Sequence, residues 1–550
     1  MRKLLAFVAT LLLLLAGCDA LSDKLTGSNT ALKSIKIAYS PEKAKLFEEL
    51  VADYNGRAAV KIDAVKAEWP DMLEAAANGA FVAVSPDSSI WLEALDKAWV
   101  DAHPDSSSAI GTTTRFATSP AVIATWAGRE GELGSAQSRG WSSLLARAKA
   151  DASYRWSHGS PKASASGLLA LTAEFYSAAG KTYGLAKIDA DREDVRKYVA
   201  DVERTIARYG GESDAALVDY LLGDGQNVLS AVVMPEASVI DYNRRSKGKQ
   251  LVAVYPVEGT LMLDHPLVLL ETPQLTPDQR RGYLDFARYL RSPEGQKIVA
   301  ANGYRPIDIG LDLAAAGSPL KPANGVSPSQ PILLQIPSAG VLDYLKQAWA
   351  TGLKRRANII LVVDTSGSMG DNSKLVRAKE ALGSFLKQIP SDQERVGLST
   401  FSDNYQELIP LDTLAKNRQK LDYAVSGLTP SGGTALYYAI WAAQRTLAAK
   451  LDPERINVVV AMTDGLENKS QDLAGKSGVP ILTTRTSNDP SALIKAMQTN
   501  GQGVLVFTIG YGSDADMTGL GKIATAFGGQ SYRADTATIK KLYELISQNF

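Results

Sequence analysis

Several oxygen-bearing side chains of this chain stand where apolar runs end. The run 359–363 leads straight into Asp-Thr-Ser-Gly-Ser, a second run, 458–462, leads to a carboxylate, and a Gly-Gly pair precedes a threonine. Such runs are typical of buried strands, so these groups should lie at strand ends. Their oxygens suit a hard divalent cation such as Mg²⁺. The sequence predicts a metal site at Asp364, Ser366, Ser368, Thr434 and Asp464.

This pattern resembles the metal-ion-dependent adhesion site of the von Willebrand factor A (VWA) domain, at all five positions. The resemblance implies that Asp464 reaches the ion through water and that the ion keeps an open position. An acidic side chain of a partner protein would fill that position, so the implied function is adhesion. Mg²⁺ is the expected ion, with Mn²⁺ and Ca²⁺ as alternatives.

An enzyme is the less favoured interpretation of the same residues. A phosphatase that forms an aspartyl-phosphate also begins from a strand-end Asp, but it commonly needs a second acid two residues later, where this chain has Ser366. No Gly-x-Ser-x-Gly elbow follows a strand. We therefore expect a binding protein and no catalytic residues.

The first residues predict export and lipid anchoring. Arg2 and Lys3 precede an apolar stretch of 13 residues, 4–16, which is short for a membrane span. The stretch ends at Leu-Ala-Gly-Cys, which resembles the bacterial lipobox and implies acylation of Cys18, the chain's single cysteine. Asp19 resembles the signal for retention at the inner membrane of Gram-negative bacteria. The expected location is the cell envelope, with the folded part facing the periplasm or the exterior.

Composition agrees with a soluble, folded multidomain chain. The 59 basic and 59 acidic residues cancel, and 45% of the 550 residues are hydrophobic. No basic stripe interleaved with aromatic residues indicates a nucleic-acid partner. We expect a signal peptide and lipobox over 1–18 and a polar tether over 19–33, followed by folded domains.

The first folded region, 34–306, alternates strand and helix patterns and resembles the type 2 periplasmic, extracellular solute-binding proteins. The likeness rests on a crossing strand at 121–126, a serine loop at 164–167, a second crossover at 230–236 and the tail 286–306. The resemblance implies an α/β module of two lobes. A Pro- and Gly-rich linker with a helix (307–356) and a doubly wound, Rossmann-like VWA domain (357–550) should follow.

Serine loops at helix starts are the expected ligand site between the lobes, because hydroxyls and backbone N–H groups at such positions can hold an anion. The same serines could be ordinary helix caps. The absence of Arg or Lys there fits a neutral solute or a cleft that serves only for docking. An alternative function is the substrate-binding component of an ABC-type transporter. The candidate residues are Ser40, Ser88, Ser89, Ser164 and Ser166.

The three histidines do not predict a metal site. His103, His158 and His265 are far apart, and no two of them lie three or four residues apart as a helical zinc pair would. His158 stands beside the serine loop and could line the cleft, but a surface or capping role is expected.

Overall fold

The computed structural model describes residues 34–535 and 539, except 211–212, 309, 390, 476–477, 484–488 and 500–502. The predicted signal peptide, Cys18 and the tether lie outside the described residues, as does most of the chain after 535. Among the residues described, no helix is both long and apolar enough to cross a membrane.

The N-terminal module is built from alternating strands and helices. Its strands are β1 (Ser34–Tyr39), β2 (Lys61–Lys66), β3 (Ala83–Ser85), β4 (Ile110–Arg115), β5 (Ala117–Trp126), β6 (Trp156–Gly159), β7 (Ile206–Gly210), β8 (Ala231–Pro235), β9 (Leu251–Val254), β10 (Met262–Leu263), β11 (Pro266–Leu270) and β12 (Arg305–Pro306). Its helices are α1 (Ala44–Arg57), α2 (Trp69–Ala77), α3 (Leu92–Ala102), α4 (Trp141–Ala150), α5 (Ala165–Ala179), α6 (Lys187–Ala190), α7 (Glu193–Arg204), α8 (Asp214–Tyr220), α9 (Gln226–Val228), α10 (Glu236–Arg245), α11 (Pro277–Leu290) and α12 (Pro293–Ala301).

Two sheets make the two lobes of this module. The first lobe has the order β2-β1-β3-β11-β4, and the second has β10-β5-β8-β6-β7, with β9 and β12 also paired to β5. Helix α5 is apolar nearly all round and its first twelve residues are buried, as expected for a helix inside a core. It forms the centre of the second lobe.

Among its described residues, the C-terminal module has one sheet of six strands, in the order β15-β14-β13-β16-β17-β18. All neighbours are parallel except β14 and β15. The strands are β13 (Arg356–Asp364), β14 (Arg395–Phe401), β15 (Tyr405–Thr413), β16 (Arg455–Thr463), β17 (Val504–Tyr511) and β18 (Ser531–Ala534). The helices are α13 (Ala339–Ala348) in the linker, followed by a π-helical turn (Trp349–Leu353), then α14 (Lys374–Gln388), α15 (Leu414–Ser426), α16 (Leu436–Ala448), α17 (Ser470–Leu473), α18 (Ser491–Gln498) and α19 (Met517–Ala526).

Strands β13 and β16 are the centre of this sheet. They pair in parallel, with Ile359 opposite Val458 and Val363 opposite Met462. Both are buried along nearly their whole length, which explains their continuous apolar sequences. Because parallel strands end at the same edge, this register brings Asp364 and Thr463 side by side.

The C-terminal module docks on the second lobe through the opposite edge, where its strands begin. Arg355, just before β13, donates to the Ile206 carbonyl at 3.0 Å. Arg208 of β7 is buried and donates to the Gly528 carbonyl at 3.0 Å and to Gln530 at 3.2 Å. The edge that carries the predicted metal ligands therefore points away from the N-terminal module.

Candidate functional site

Asp364 is held at the end of β13 by two hydrogen bonds. Its Oδ1 accepts from the Ser366 backbone N–H at 2.7 Å, and its Oδ2 accepts from the Thr463 hydroxyl at 2.6 Å. The carboxyl is fully buried. Burial raises its pKa to about 6, and the Asp464 carboxylate adds to the rise, while the bonds from Ser366 and Thr463 oppose it. A carboxylate in such a position is stabilised by a nearby cation.

The two serines and Asp464 form a chain of oxygens beside it. Ser366 Oγ lies 3.1 Å from Ser368 Oγ, and the Ser368 hydroxyl donates to Asp464 Oδ1 at 2.7 Å. Asp464 is buried, but Ser368 is exposed, so the group opens to solvent on the Ser368 side. The other oxygen of Asp464 accepts from the Lys374 ammonium at 2.7 Å.

Thr434 reaches the same place from the loop before α16. A methyl group on Gly465 would lie 3.6 Å from Thr434 Oγ1 and 3.9 Å from Ser368 Oγ, so both hydroxyls face one small space. Asn468 holds the loop, because it accepts from the Thr434 N–H at 2.9 Å and donates its own N–H to the Thr434 carbonyl at 3.0 Å. All five predicted side chains thus come together.

The donor set fits a divalent cation. Every candidate ligand atom is an oxygen, and two of the five side chains are carboxylates. One of these carboxylates, Asp464, already forms an ion pair with the Lys374 ammonium. Few carboxylates and several neutral oxygens are what Mg²⁺ sites in proteins commonly provide. The position of Lys374 indicates that Asp464 attracts positive charge.

The predicted ligand serines of the N-terminal module fall into two groups. Ser88 and Ser89 are engaged by Asp264, whose carboxylate accepts from the Ser89 N–H and hydroxyl, both at 2.7 Å. Arg115 also donates to this carboxylate. Ser88 caps the short turn that follows it, accepting from the Ile90 N–H. These two serines therefore serve as caps and as partners of a carboxylate.

The second group lies between the lobes. Ser164 caps α5, its hydroxyl lies 3.0 Å from that of Ser166, and Ser166 donates to Asp214 at 2.6 Å. Ser40 borders the small space that Glu42 and Asp87 line.

Carboxylates dominate this space. Ligand oxygens of Glu42, Asp87 and Asp214 lie within 4.8 Å of one another. Burial raises the pKa of Asp214 well above its ordinary value. The cavity itself measures about 10 Å³, which holds roughly one water molecule. This lining disfavours the anion that the serine loops suggested and suits a cation.

Two protein-family models match this chain, one over each of the two modules. The von Willebrand factor type A domain model matches residues 358–545, and the bacterial extracellular solute-binding protein model matches residues 35–305. The chain carries both of these domains. The predicted α/β class and the two family resemblances are confirmed, and both families are binding or adhesion domains.

One curated relative matches a short part of the chain. The calcium-activated chloride channel regulator 3A-1 of Mus musculus is 30% identical over 116 residues, which are 21% of this chain and 13% of that protein. This chain thus spans about an eighth of that relative's length.

Two solved structures resemble one domain each. A von Willebrand factor type A protein from Catenulispora acidiphila is 22% identical, covers 36% of this chain and 43% of its own, and has a TM-score of 0.30. The sulfate-binding protein SubI from Mycobacterium tuberculosis is 16% identical, covers 50% of this chain and 88% of its own, and has a TM-score of 0.38.

The structure adds residues to the VWA site that the motif did not indicate. Thr463 and Lys374 contact the carboxylates Asp364 and Asp464, yet neither belongs to the Asp-x-Ser-x-Ser pattern. Thr463 could have been suspected because it precedes Asp464 at the same strand end. In the solute-binding domain, sequence reasoning missed the carboxylates between the lobes.

The expectation for His158 was wrong. The prediction was a surface or capping residue, but the side chain is fully buried, because β6 is covered on both faces within the second lobe.

Proposed function

We propose that this chain is a lipid-anchored protein of the cell envelope whose VWA domain attaches to a partner protein through a divalent cation. Asp364, Ser366, Ser368 and Thr434 would hold the ion, with Asp464 acting through water, and the ion would supply an electrophilic position for an acidic side chain of the partner. The observation that carries the proposal is the convergence of these five groups at the sheet edge opposite the docking surface. Their hydrogen bonds are made within the VWA domain and not with the described N-terminal module.

Within the site, the protein's own residues keep the oxygens in place before a partner arrives. Thr463 and the Ser366 N–H fix the two oxygens of Asp364. Asn468 fixes the Thr434 loop. The exposed Ser368 marks the side from which a carboxylate can approach. A site arranged in this way binds without breaking a covalent bond.

The test is capture of envelope proteins by the immobilised chain in Mg²⁺. A partner that the VWA site holds should be recovered in Mg²⁺ and lost both with EDTA and with Asp364→Ala. Asp422→Ala is the matched control, because Asp422 is an exposed aspartate on α15 of the same domain. Equal recovery in all conditions would contradict adhesion through this site.

The anchoring part of the proposal rests on Cys18 alone. Cys18→Ser should move the chain from the membrane fraction to the soluble fraction of its host, because acyl chains give the stable attachment. Retention of Cys18→Ser in the membrane fraction would argue against lipidation at this residue.

A second function, a receptor for a small cationic solute that feeds a transporter, is favoured by the cleft carboxylates. One oxygen of Glu42 and one of Asp214 are buried with no hydrogen-bond partner. Buried carboxylate oxygens are costly unless they are protonated or paired. The space measures only about 10 Å³, so a solute larger than water would need the lobes to move apart.

Thermal unfolding with a panel of solutes tests this second function. Amines and small metal cations should raise the melting temperature, while oxyanions should not, and Asp214→Asn should remove the response. Asp219→Asn is the control, since Asp219 lies on the surface and pairs with Arg245. A response to oxyanions alone, or to nothing, would count against a cation receptor.

A further inference from the structure

Four buried polar atoms with no hydrogen-bond partner meet inside the second lobe, away from both sites described above. They are His158 Nε2, both oxygens of Glu174 and Oε1 of Glu203. All three side chains are fully buried. They come from β6, α5 and α7, so three separate elements bring them to one point. Burying unpaired polar atoms is costly, and buried polar groups are paired in the great majority of cases.

The remaining polar atoms of the same side chains are all engaged. His158 Nδ1 lies 2.6 Å from the Gly159 carbonyl, so Nδ1 carries a proton, and in the neutral ring the lone pair on Nε2 can bind an ion. Glu203 Oε2 accepts from the Tyr209 hydroxyl at 2.6 Å and from the Trp349 indole at 2.9 Å. Metal-ligating histidines and carboxylates are typically held by outer hydrogen bonds of this kind.

The distances also suit one ion. His158 Nε2 lies 3.4 Å from Glu203 Oε1 and 4.0 Å from Glu174 Oε1. Ligand atoms at about 2.0–2.1 Å from a tetrahedral zinc ion stand roughly 3.4 Å apart. His158 Nε2 and Glu203 Oε1 already have this spacing. A small movement of Glu174 would bring its Oε1 to the same distance from His158 Nε2.

The charges point the same way. No lysine or arginine among the described residues forms an ion pair with Glu174 or Glu203, so the negative charge of these carboxylates, when ionised, has no basic side chain to balance it. Burial raises the pKa of Glu174 well above its ordinary value, and the charge of Glu203 adds to the rise. A divalent cation would neutralise the cluster.

We propose that His158, Glu174 and Glu203 bind a divalent transition-metal ion in the core of the second lobe, with zinc as the best fit. The three residues supply one nitrogen and two carboxylate oxygens as ligand atoms, and a fourth position would be left for water, as in zinc sites with three protein ligands. A nitrogen ligand favours zinc over Mg²⁺ or Ca²⁺, which prefer oxygen alone.

Such an ion would connect the two domains. Trp349 is in the π-helical turn that leads from the linker helix α13 to β13 of the VWA domain, and its indole is bonded to Glu203. The ion would fix the position of Glu203, and Glu203 would in turn fix the π-helical turn through its hydrogen bond from Trp349. The site is enclosed, so the ion would enter as the second lobe folds.

The experiment must separate this ion from one at the VWA site. The full chain carrying Asp364→Ala is therefore produced in zinc-supplemented medium, purified without chelator and analysed for metal by mass spectrometry. We expect about one zinc per chain, resistant to EDTA until the protein unfolds. Adding Glu174→Gln should reduce the zinc content at least about tenfold.

A matched control uses another fully buried histidine, His265, whose ring packs on Tyr304 at 5.0 Å. His265→Gln in the Asp364→Ala background should leave the zinc content unchanged. Growth with cobalt gives a second readout that does not require the Glu174 variant to fold, because cobalt bound to His158 should produce visible absorption in the Asp364→Ala protein.

The result that overturns the proposal is a folded Asp364→Ala protein with no stoichiometric transition metal, no cobalt absorption and the same melting temperature in zinc and in EDTA. The cluster would then be a proton-sharing group. Loss of zinc in the His265→Gln control but not in Glu174→Gln would also overturn it. Neither result depends on whether the VWA site binds a partner.

Discussion

The ammonium group of Lys374 lies 2.7 Å from Oδ2 of Asp464 in the VWA site. Lys374 starts α14, directly after the metal loop, and its side chain is mostly buried. Because Asp464 is one of only two carboxylates in the proposed ligand set, the lysine and a divalent ion would compete for the same negative charge.

Removing this competitor should strengthen metal binding. Lys374→Met keeps most of the side-chain volume but removes the positive charge, so we expect the affinity for Mg²⁺ or Mn²⁺ to rise about tenfold, or roughly 1.4 kcal/mol. Isothermal titration calorimetry measures the change. Lys379→Met is the control, because Lys379 is on the same helix and bonds only the Ser426 carbonyl. A weaker affinity in Lys374→Met would mean that the lysine positions Asp464 for the ion.

Thr463 should matter for metal affinity although it is not a proposed ligand. Thr463→Val keeps the shape of the side chain but removes the donor to Asp364 Oδ2, so the carboxylate loses its orientation. We expect metal affinity to fall about 10- to 100-fold. Thr508→Val in the neighbouring strand β17 removes a buried hydroxyl that bonds the Leu520 carbonyl. Thr508→Val should bind metal as the unmodified chain does. An equal loss of metal affinity in Thr463→Val and Thr508→Val would indicate a general effect on packing.

The docking of the two domains should depend on Arg208. Arg208→Met leaves the Gly528 carbonyl without this donor at the interface, which should cost about 1–3 kcal/mol. Hydrogen exchange of the backbone around Gly528 and the thermal unfolding of the chain should both report the loss. Arg204→Met removes a half-exposed arginine from the same lobe and serves as control. Unchanged exchange around Gly528 would show that Arg208 is not needed for docking.

The cleft carboxyls predict how stability depends on pH. Burial raises the pKa of Glu42 and of Asp87 to about 7, and other nearby carboxylates add to both rises. Between about pH 4.5 and 7 the folded state thus holds protons that the unfolded state has released, so the free energy of unfolding falls as pH rises. Each such proton contributes at most about 1.4 kcal/mol per pH unit.

Lys43 acts in the opposite direction at higher pH. Burial lowers its pKa to about 7, so between about pH 7 and 10 the unfolded state binds the extra proton and stability rises. We expect a minimum in the free energy of unfolding near pH 7, measured by denaturant titration. Asp87→Asn should make the fall below pH 7 shallower, whereas the exposed Asp219→Asn should not. A monotonic rise of stability through this range would contradict the prediction.

Asp364, Ser366 and Ser368 could be predicted as ligands because they belong to one local pattern at a strand end, and the family resemblance added the distant Thr434 and Asp464. A strand that ends in Asp-x-Ser-x-Ser places its carboxylate at the sheet edge whatever the rest of the chain does. The α/β class of both modules is equally local in origin, because it follows from alternating strand and helix periodicity. Domain boundaries and the lipidated Cys18 remain predictions.

The remaining features depend on contacts between residues far apart in the chain. Thr463 and Asp364 are 99 positions apart and meet only because β13 and β16 pair in one register. No spacing rule relates Glu42 to Asp214 across the cleft.

The histidine cluster shows the same limit most clearly. His158 has no second histidine at helical spacing, so local patterns disfavoured a metal site, yet α5 and α7 bring Glu174 and Glu203 to its free nitrogen. Local sequence patterns specify the strands and helices and the groups at their ends. Which buried charges lie together depends on the packing of the whole chain, because the cost of burying a charge depends on all of its neighbours.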